Sequence, residues 1–429
     1  MNLLYITYFY PPEIGAASNR ASMIINRLKS DGGFKVTVLR PVPSYPFGER
    51  LNTKHQTRYK LFFKESDGDK TEIISINVPV AKNGSFFKRI LGNMIFLFLA
   101  FFFLLIHSKK YNTIITSSPP FLINYLGLLY VKITKKRSWI LEVRDLWPDS
   151  LLALGMVEKG SLVYRTLKRM ELCFYKNATK IICVTKGIKN TIDSQIPEEK
   201  TKFIPNGVFD WDKDDIVSNT EKINKLRETF RISMSDKIIG YIGNVGKAQG
   251  LDFLIKLANE TKGITDIKYI VVGNGSDKEN LKKMSCDYHL SNVIFIDAIS
   301  DKKQLCQIYN FIDIGIVLLK DEPLFEGAVP SKLFDLLSFN KYILLGVKGE
   351  AKELLKDDTH TSFIDSNDIT GTVDTLLNVI RHESYKTHSN VSNIRRGILN
   401  ERSWDKLFSD YKDVLIEGKN DEDMHVGKK

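Results

Sequence analysis

The chain has 429 residues and a mass of 49.1 kDa, a length that predicts two or three domains with sizeable buried cores. Hydrophobic residues make up 43% and charged residues 26%, which excludes a disordered or fibrous protein. Residues 1–208 contain 31 basic and 15 acidic side chains, whereas residues 209–429 contain 31 and 36. A basic half of this kind is typical of proteins that bind an anionic membrane or a nucleic acid. A solvated basic face with no such partner explains the charge equally well.

Short β-rich runs alternate with helical patterns along the first half. Strands are predicted at 3–8, 35–39, 73–78, 113–116, 139–143, 180–184 and 202–205, and helices at 18–31, 88–107, 124–134, 161–176 and 185–194. The amino-terminal run MNLLYITYFYPP lacks the basic segment of a signal peptide, so we expect a first buried strand. The four cysteines show no CxxC or metal-ligand spacing and are expected to be free thiols in a reducing compartment.

One segment is unusually apolar. From Ile90 to Ile106 the chain runs 17 residues without a charge, between Lys88-Arg89 and Lys109-Lys110. Three interpretations compete: a spanning helix, a buried core helix and a monotopic helix partly sunk in one leaflet. Cations at both ends give no topological bias, and a crossing would divide the domain that continues after it. We favour the monotopic helix, with neighbouring basic residues on anionic headgroups.

The second half repeats the strand–helix alternation. Residues 210–222 (DWDKDDIVSNTEK) are polar and predict a linker, and strands follow at 238–242, 269–272, 293–295, 314–317 and 342–345. Two such series predict two doubly wound α/β domains. Ligands of these domains bind beyond the carboxyl ends of the strands, so the loops there are the candidate sites.

Several loops after strands have residues suited to anions. Gly15 precedes a helix, with Ser18 as the alternative N-cap of an ordinary turn. In the second half, the run Gly243 to Gly250 (GNVGKAQG) and the run Gly273 to Ser276 (GNGS) each follow a strand. They resemble phosphate-binding turns, but they are neither a Walker loop nor a dinucleotide fingerprint. Each run alone is as well explained by a tight turn.

The run VPSKLFD is the most informative. Pro330 and Ser331 predict a helix start, Lys332 in the first turn can donate to a phosphate, and Asp335 can accept from sugar hydroxyls. A capped amphipathic helix with an exposed lysine and aspartate is the alternative. In the first half, Asp145 and Trp147 follow a strand and suit sugar binding. The Asp-x-Asp pairs at 67–69 and 210–212 lie in polar loops, so no metal site is expected.

Taken in order, YFYPPEIGAAS, EVRDLWPDS, IPNGV, GNVGKAQG, VVGNGS and VPSKLFDLLSFNK resemble family 4 glycosyltransferases of the GT-B fold. They look most like the bacterial branch that builds O-antigen and capsule, including N-acetyl-L-fucosamine transferases. The resemblance implies two Rossmann-like domains facing a cleft, a last helix at 402–416 that returns to the first domain, no metal or other cofactor, and retention of anomeric configuration. The domains are then residues 1–208 with 402–416, residues 209–401, and a polar tail at 417–429.

The resemblance also assigns roles. It implies that the second domain holds a nucleotide-sugar donor, with Lys332 and Lys247 on the diphosphate, Glu326 on the donor sugar and Asp145 orienting or deprotonating the acceptor hydroxyl. The other expected donor-binding residues are Gly15, Asn206, Asn244, Gln249, Gly250, Asn274, Pro330, Ser331 and Asp335. Where the family has a glutamate pair spaced E-x7-E, this chain has Gly327, with Glu326 one residue early, and Asp335. The family's loop arginine and lysine fall on Asn244 and Gln249.

The expected function is transfer from a UDP-sugar, such as UDP-N-acetyl-L-fucosamine, to a polyprenyl-diphosphate-linked saccharide. The enzyme would be peripheral or monotopic at the cytoplasmic face of the inner membrane, in contact with anionic lipid through 90–106. A nucleotide-sugar epimerase or phosphorylase of the same fold is the alternative. A nucleic-acid partner is not expected, because the basic residues are scattered and no reader motif is present.

Overall fold

The computed structural model describes residues 1–44, 49–51, 60–67, 70–80, 86–134, 137–197, 199–211, 219–386 and 392–424. Within these ranges the chain forms two compact units. The amino-terminal unit consists of Met1–Gly207 and the chain from Trp404, and the carboxyl-terminal unit consists of Val208–Ser403. Most of the predicted linker, 212–218, and one residue or more of each Asp-x-Asp pair lie outside the described residues.

The amino-terminal unit is built on one sheet. Its strands are β1 (Asn2–Thr7), β2 (Lys35–Pro41), β3 (Phe62–Ser66), β4 (Thr71–Ile76), β5 (Thr113–Ser118), β6 (Ser138–Val143), β7 (Lys180–Cys183) and β8 (Thr201–Phe203). They lie in the order β3-β4-β2-β1-β5-β6-β7-β8, parallel except for the antiparallel pair β3 and β4. Strands β5 and β6 are buried along their whole length, as expected for parallel strands covered on both faces.

Among the described residues of this unit, the helices between the strands are α1 (Ala16–Asp31), α2 (Phe86–His107), α3 (Asn124–Thr134), α4 (Asp149–Ala153), α5 (Leu162–Asn177) and α6 (Lys186–Asp193). The N-cap of α1 is Gly15, with a φ of 131°, and Ser18 is a buried residue of the first turn. The alternative assignment of Ser18 as N-cap is therefore wrong, because the helix begins two residues earlier than predicted.

The carboxyl-terminal unit has an all-parallel sheet. Its strands are β9 (Lys237–Ile242), β10 (Ile267–Val272), β11 (Val293–Ile296), β12 (Ile314–Leu318), β13 (Tyr342–Gly346) and β14 (Thr361–Phe363). They lie in the order β11-β10-β9-β12-β13-β14. The helices are α7 (Thr220–Phe230), α8 (Asp252–Glu260), α9 (Lys278–Asp287), α10 (Lys302–Phe311), α11 (Lys332–Ser338), α12 (Glu350–Leu354), α13 (Ile369–Arg381) and α14 (Asn393–Glu401). The end of the predicted linker thus already belongs to α7.

The last helix, α15 (Trp404–Met424), returns to the amino-terminal unit. Trp404, Leu407, Tyr411 and Leu415 are buried in the same hydrophobic cluster as Tyr5 of β1. The helix continues through residues 417–424, which were predicted to be a polar tail. Lysine and glutamate are good helix formers, so a polar composition does not end a helix; residues 425–429 lie outside the described part of the chain.

The apolar run lies in α2, and only one face of the helix is buried. Phe96, Ala100, Phe103 and Leu104 are 6% exposed or less. Along the other face, large apolar side chains are 37% to 75% exposed: Ile90, Leu91, Met94, Phe98, Phe101, Phe102, Leu105 and Ile106. The stretch Ile90–Lys110 is long and apolar enough to cross a membrane, and 28% of an apolar 18-residue window within it is buried. A core helix would be mostly buried, so this alternative has no support.

Candidate active site

Two glycine-containing loops lie against each other at the carboxyl ends of β9 and β10. A Cβ atom on Gly273 would lie 1.8 Å from the carbonyl oxygen of Gly243, and one on Gly275 would lie 2.2 Å from that of Val245. The amide of Val245 also donates to the carbonyl of Asn274 at 3.0 Å. Only glycine permits so close an approach. The glycines that predicted phosphate-binding turns therefore also allow the two loops to pack against each other.

Lys278, which was not predicted as a site residue, joins these loops to the one after β11. Its ammonium group donates to the carbonyls of Gly273 (2.7 Å) and Ile296 (3.0 Å). It also donates to Oδ1 of Asn274 (2.9 Å) and Oδ1 of Asp297 (2.8 Å). The side chain of Asn274, expected to bind the donor, is thus held by Lys278. No sequence pattern marks a lysine that is buried with four oxygen partners.

Lys332 begins α11 and lies against the loop after β9. Its Nζ donates to Oη of Tyr241 at 2.5 Å and to Oε1 of Gln249 at 2.6 Å. It lies 4.0 Å from the centroid of the Tyr241 ring. Burial lowers the pKa of Lys332 to about 7, since no carboxylate among the described residues forms an ion pair with it. This lysine is therefore held by neutral groups and can accept an anionic partner.

Of the other residues in this loop, Gln249 contacts the lysine directly. Gly250 has a left-handed backbone (φ 63°), and Gln249 accepts hydrogen bonds from both Lys332 and Tyr241. The side chains of Asn244 and Lys247 are exposed to solvent. Of the two lysines expected to contact the diphosphate, Lys332 packs against the loop after β9, and Lys247 is exposed to solvent.

Pro330 and Ser331 precede α11, and Ser331 makes no side-chain capping bond with the helix. Asp335 follows one turn later, and both of its oxygens have partners. Nε1 of Trp211 donates to Oδ1 at 3.1 Å, and the hydroxyl of Tyr309 donates to Oδ2 at 3.1 Å. Burial raises the pKa of Asp335 to about 7 despite these two bonds.

Trp211 and Tyr309 were not predicted as site residues. Trp211 lies in a polar, acidic stretch that was predicted to be a linker. Tyr309 occupies a position of α10 that is typical of ordinary apolar packing. Their rings pack together with that of Phe339. The hydrogen bonds from Trp211 and Tyr309 fix the orientation of the Asp335 carboxylate. Each carboxylate oxygen keeps a lone pair that can accept a hydrogen bond from a substrate hydroxyl.

Glu326 lies in a short 3-10 turn (Pro323–Gly327) after β12 and is exposed. A Cβ atom on Gly349, whose φ is 65°, would lie 2.0 Å from the carbonyl oxygen of Glu326. The turn therefore packs tightly on the residue that precedes α12. Glu326 also lines an open depression of about 320 Å³ at the carboxyl ends of β12 and β13.

In the amino-terminal unit a buried charged network lies beneath the predicted residues. Nε of Arg20 contacts Oε1 of Glu142 at 2.7 Å, while Tyr5 (2.9 Å) and Ser117 (2.7 Å) donate to Oε2. Arg20 also donates to the carbonyls of Ile204 (3.0 Å) and Pro205 (2.6 Å). Arg20 and Glu142 are 2% and 0% exposed. Patterns of hydrophobic residues cannot reveal such a pair, because both side chains occupy positions where apolar residues are expected.

The predicted residues of this unit lie at the carboxyl ends of its strands. Asp145 is exposed, two residues beyond β6, and Trp147 stacks on Phe121 with a centroid separation of 6.4 Å. Asn206 follows the segment held by Arg20, and Oδ1 of Asn206 is buried without a hydrogen-bond donor among the described residues. Gly15 lies at the start of α1 after β1. No group of three or more His, Cys, Asp or Glu side chains in the described ranges could hold a metal ion.

Comparison with known proteins indicates which family the carboxyl-terminal unit resembles. Residues 222–396 match the family model described as Glycosyl transferases group 1. This segment of the carboxyl-terminal unit is therefore similar to group 1 glycosyltransferases, and the two Rossmann-like sheets of the chain have the GT-B fold of similar solved structures. This match does not favour the epimerase alternative.

Three similar proteins illustrate the relationship. The putative colanic acid biosynthesis glycosyl transferase WcaI of Escherichia coli K12 is 25% identical over 345 residues, which are 79% of this chain and 81% of WcaI. Among solved structures, Anabaena Alr3699/HepE in complex with UDP-glucose has a TM-score of 0.69 at 13% identity and covers 97% of this chain and 100% of that one. WaaG, a glycosyltransferase involved in lipopolysaccharide biosynthesis, has a TM-score of 0.64 at 13% identity, with 96% and 99% covered.

Proposed function

We propose that the enzyme transfers a sugar, with retention of configuration, from a UDP-sugar to a polyprenyl-diphosphate-linked saccharide during synthesis of a surface polysaccharide such as O-antigen or capsule. The observation that carries the proposal is Lys332, a cation held by Tyr241 and Gln249 beside Gly243 without a carboxylate partner in the described residues. The leaving diphosphate gains the largest charge in the transition state of such a transfer, so a cation placed there contributes most to catalysis.

The remaining roles follow from position and chemistry. Lys332 contacts the diphosphate, Asp335 accepts from hydroxyls of the ribose or donor sugar, and Glu326 contacts the donor sugar. Asp145 orients the acceptor hydroxyl or takes its proton. The bond between the anomeric carbon and the phosphate oxygen breaks, a bond from that carbon to the acceptor oxygen forms, and UDP leaves with the electron pair. The diphosphate is stabilised by protein cations in this scheme, without a metal ion.

The donor class is proposed from two kinds of support. The similar structure HepE is in complex with UDP-glucose, and the sequence resembles transferases of N-acetylamino sugars. We therefore propose a UDP-linked N-acetylamino sugar, with UDP-N-acetyl-L-fucosamine as the first candidate. WcaI and WaaG are named for colanic acid and lipopolysaccharide biosynthesis, which supports a role in surface polysaccharide synthesis, and we propose a lipid-linked acceptor for that role.

The test supplies the purified full-length protein with UDP-N-acetylamino sugars and a membrane extract, and measures release of UDP. We expect release only when donor and extract are both present, and nuclear magnetic resonance of the product should show the anomeric configuration of the donor. Conversion of the donor without any extract would support an epimerase instead. An absence of release with every common UDP-, GDP- and dTDP-sugar would refute the proposal.

We also propose that α2 attaches the enzyme to the cytoplasmic face of the inner membrane as a monotopic helix. The ring of Phe96 lies 5.6 Å from that of Tyr8, and the ring of Phe103 lies 6.2 Å from that of Phe62. Contacts at both positions hold α2 along the unit, which is difficult to reconcile with a helix that leaves it to span a bilayer. The exposed face would then lie among lipid chains, and Lys88 and Lys109 would contact anionic headgroups.

Removing the exposed apolar face should release the protein from membranes. In the triple variant Phe98→Ser, Phe102→Ser and Ile106→Ser, residues that are 62%, 44% and 75% exposed lose their apolar side chains. Burying such a side chain contributes about 1.5–3 kcal/mol, so we expect a loss of binding by several orders of magnitude. Flotation with vesicles of phosphatidylglycerol and phosphatidylcholine measures it. Met234→Ser, at a residue that is 69% exposed in the other unit, is the matched control, and equal flotation of both variants would contradict the proposal.

A further inference from the structure

Arg144 directly follows β6, and the Nε–H of its guanidinium group donates to no acceptor among the described residues. Its Nε is buried, and no acceptor in the described part of the chain lies within hydrogen-bond distance of it. Burial lowers the pKa of Arg144, and the carboxylates of Asp145 and Glu142 only partly oppose this effect. A buried N–H group without an acceptor destabilises a protein, so such an arginine calls for an explanation.

The two neighbouring carboxylates do not supply the missing acceptor. Both oxygens of Glu142 are already bonded, one to Arg20 and the other to Tyr5 and Ser117. Asp145 is exposed to solvent and accepts no hydrogen bond from Arg144 within the described residues. The cation of Arg144 is therefore near negative charge but is not bonded to it.

A complementary group lies at the same edge of the sheet. Arg20 holds both Glu142 (2.7 Å) and the carbonyl of Pro205 (2.6 Å). Arg144 follows Glu142 by two residues and Asn206 follows Pro205 by one, so both residues lie just beyond the carboxyl ends of their strands, β6 and β8. Oδ1 of Asn206 is likewise buried without a donor. Among the described residues, this edge thus has a charged donor without an acceptor, Nε of Arg144, and a neutral acceptor without a donor, Oδ1 of Asn206.

We propose that Arg144 binds an oxyanion of the substrate, a carboxylate or a phosphate group, while Asn206 accepts a hydrogen bond from a hydroxyl group beside that oxyanion. The inference rests on the proposed glycosyl transfer and adds a charge requirement to the substrate. A guanidinium group suits this task because its planar N–H groups match the two oxygens of a carboxylate or phosphate. The oxyanion is either the carboxylate of a sugar acid or a phosphate of the donor or acceptor diphosphate.

The full-length wild-type protein and the variant Arg144→Gln are titrated calorimetrically with UDP, UDP-glucose and UDP-glucuronate. If the oxyanion is a donor phosphate, Arg144→Gln should weaken all three by at least about 30-fold, the effect of truncating a buried charged hydrogen bond. If it is a sugar carboxylate, the wild type should prefer UDP-glucuronate to UDP-glucose, and the variant should lose that preference while binding UDP normally. If it belongs to the acceptor, only the KM for an undecaprenyl-diphosphate-linked sugar should rise.

Two comparisons make the test decisive. Arg169→Gln, at an exposed arginine of α5, is the matched control and should behave like the wild type. Arg144→Lys keeps the charge but loses the planar geometry, and it should restore only part of the binding. If Arg144→Gln equals Arg169→Gln in every titration and in KM, the inference is wrong.

Thermal stability gives a readout that needs no nucleotide. An arginine that the fold needs would lower Tm when replaced, whereas removal of an unpaired buried N–H group should leave Tm unchanged or raise it. A fall of several degrees in Arg144→Gln relative to Arg169→Gln would overturn the inference. Failure of the wild type to bind any UDP compound would instead refute the proposed donor, and the Tm comparison would still decide whether Arg144 is structural.

Discussion

Replacing Lys332 by methionine should lower kcat for UDP-sugar transfer by about 10²–10³-fold, the usual effect of removing one donor to a developing oxyanion. Methionine preserves the length and apolar packing of the side chain but removes the ammonium that Tyr241 and Gln249 hold at 2.5 and 2.6 Å. Steady-state release of UDP measures the effect. Lys256→Met, at an exposed lysine of α8 that pairs with Asp252, is the control and should retain full activity.

The same lysine should set the alkaline limb of the pH profile. The pKa of Lys332 is lowered to about 7, so the free enzyme loses this positive charge as the pH rises above 7. A diphosphate binds the protonated form, so affinity for UDP should fall by about tenfold per pH unit above 7. Arginine stays protonated over this range, so Lys332→Arg should show no alkaline limb. An unchanged limb in this variant would assign it to another group.

Asp335 should produce the acid limb of the pH profile of donor affinity. Its pKa is raised to about 7 by burial, so the carboxylate becomes protonated below pH 7 and loses its capacity to accept from two hydroxyls. Donor affinity should therefore be maximal near pH 7. The variant Asp335→Asn should bind weakly at every pH and without the acid limb.

Replacing Arg20 by methionine should destabilise the protein by about 3–5 kcal/mol, the range measured when one partner of a buried ion pair is removed. The variant leaves Glu142 without its cationic partner and the carbonyls of Ile204 and Pro205 without the donor that now bonds them. Urea denaturation measures the change in free energy of unfolding.

The matched control lies on the same helix. Arg27 of α1 pairs with Asp405 at 2.9 Å, but these side chains are 27% and 87% exposed. Because exposed ion pairs contribute about 0–1 kcal/mol, Arg27→Met should change stability little. Equal destabilisation by Arg20→Met and Arg27→Met would show that helix propensity or packing, and not burial of the charge, determines the effect.

The fold could be predicted from sequence because its strands are continuous apolar runs. The run at 238–242 needs no tertiary information to be recognised as β9 (Lys237–Ile242). The edge strands β3 and β14 were missed for the opposite reason: among their residues only Phe63 is buried. Such strands are specified by their neighbours and not by their own composition.

The candidate site was predictable only in part. The position of Lys332 follows from a loop and a helix start, which are local signals. The contacts of Lys278 and the aromatic partners of Asp335 join residues that are far apart in the chain, such as Trp211 and Asp335. Polar side chains in these contacts occur in sequence contexts that equally suit solvent, so only the folded chain distinguishes them.

The contacts of Arg20 also bear on how the chain is made. Arg20 holds the carbonyl of Pro205, where the chain leaves the amino-terminal unit, and its guanidinium carbon lies 5.6 Å from the ring centroid of Trp404, where the chain returns. In sequence, the carboxyl-terminal unit is thus an insertion into the amino-terminal unit, and Arg20 contacts the amino-terminal unit on both sides of that insertion. During translation, the inserted unit is synthesised whole while the core of the first unit still lacks Trp404, Tyr411 and Leu415. The amino-terminal unit therefore cannot complete its core until the carboxyl-terminal unit has been synthesised.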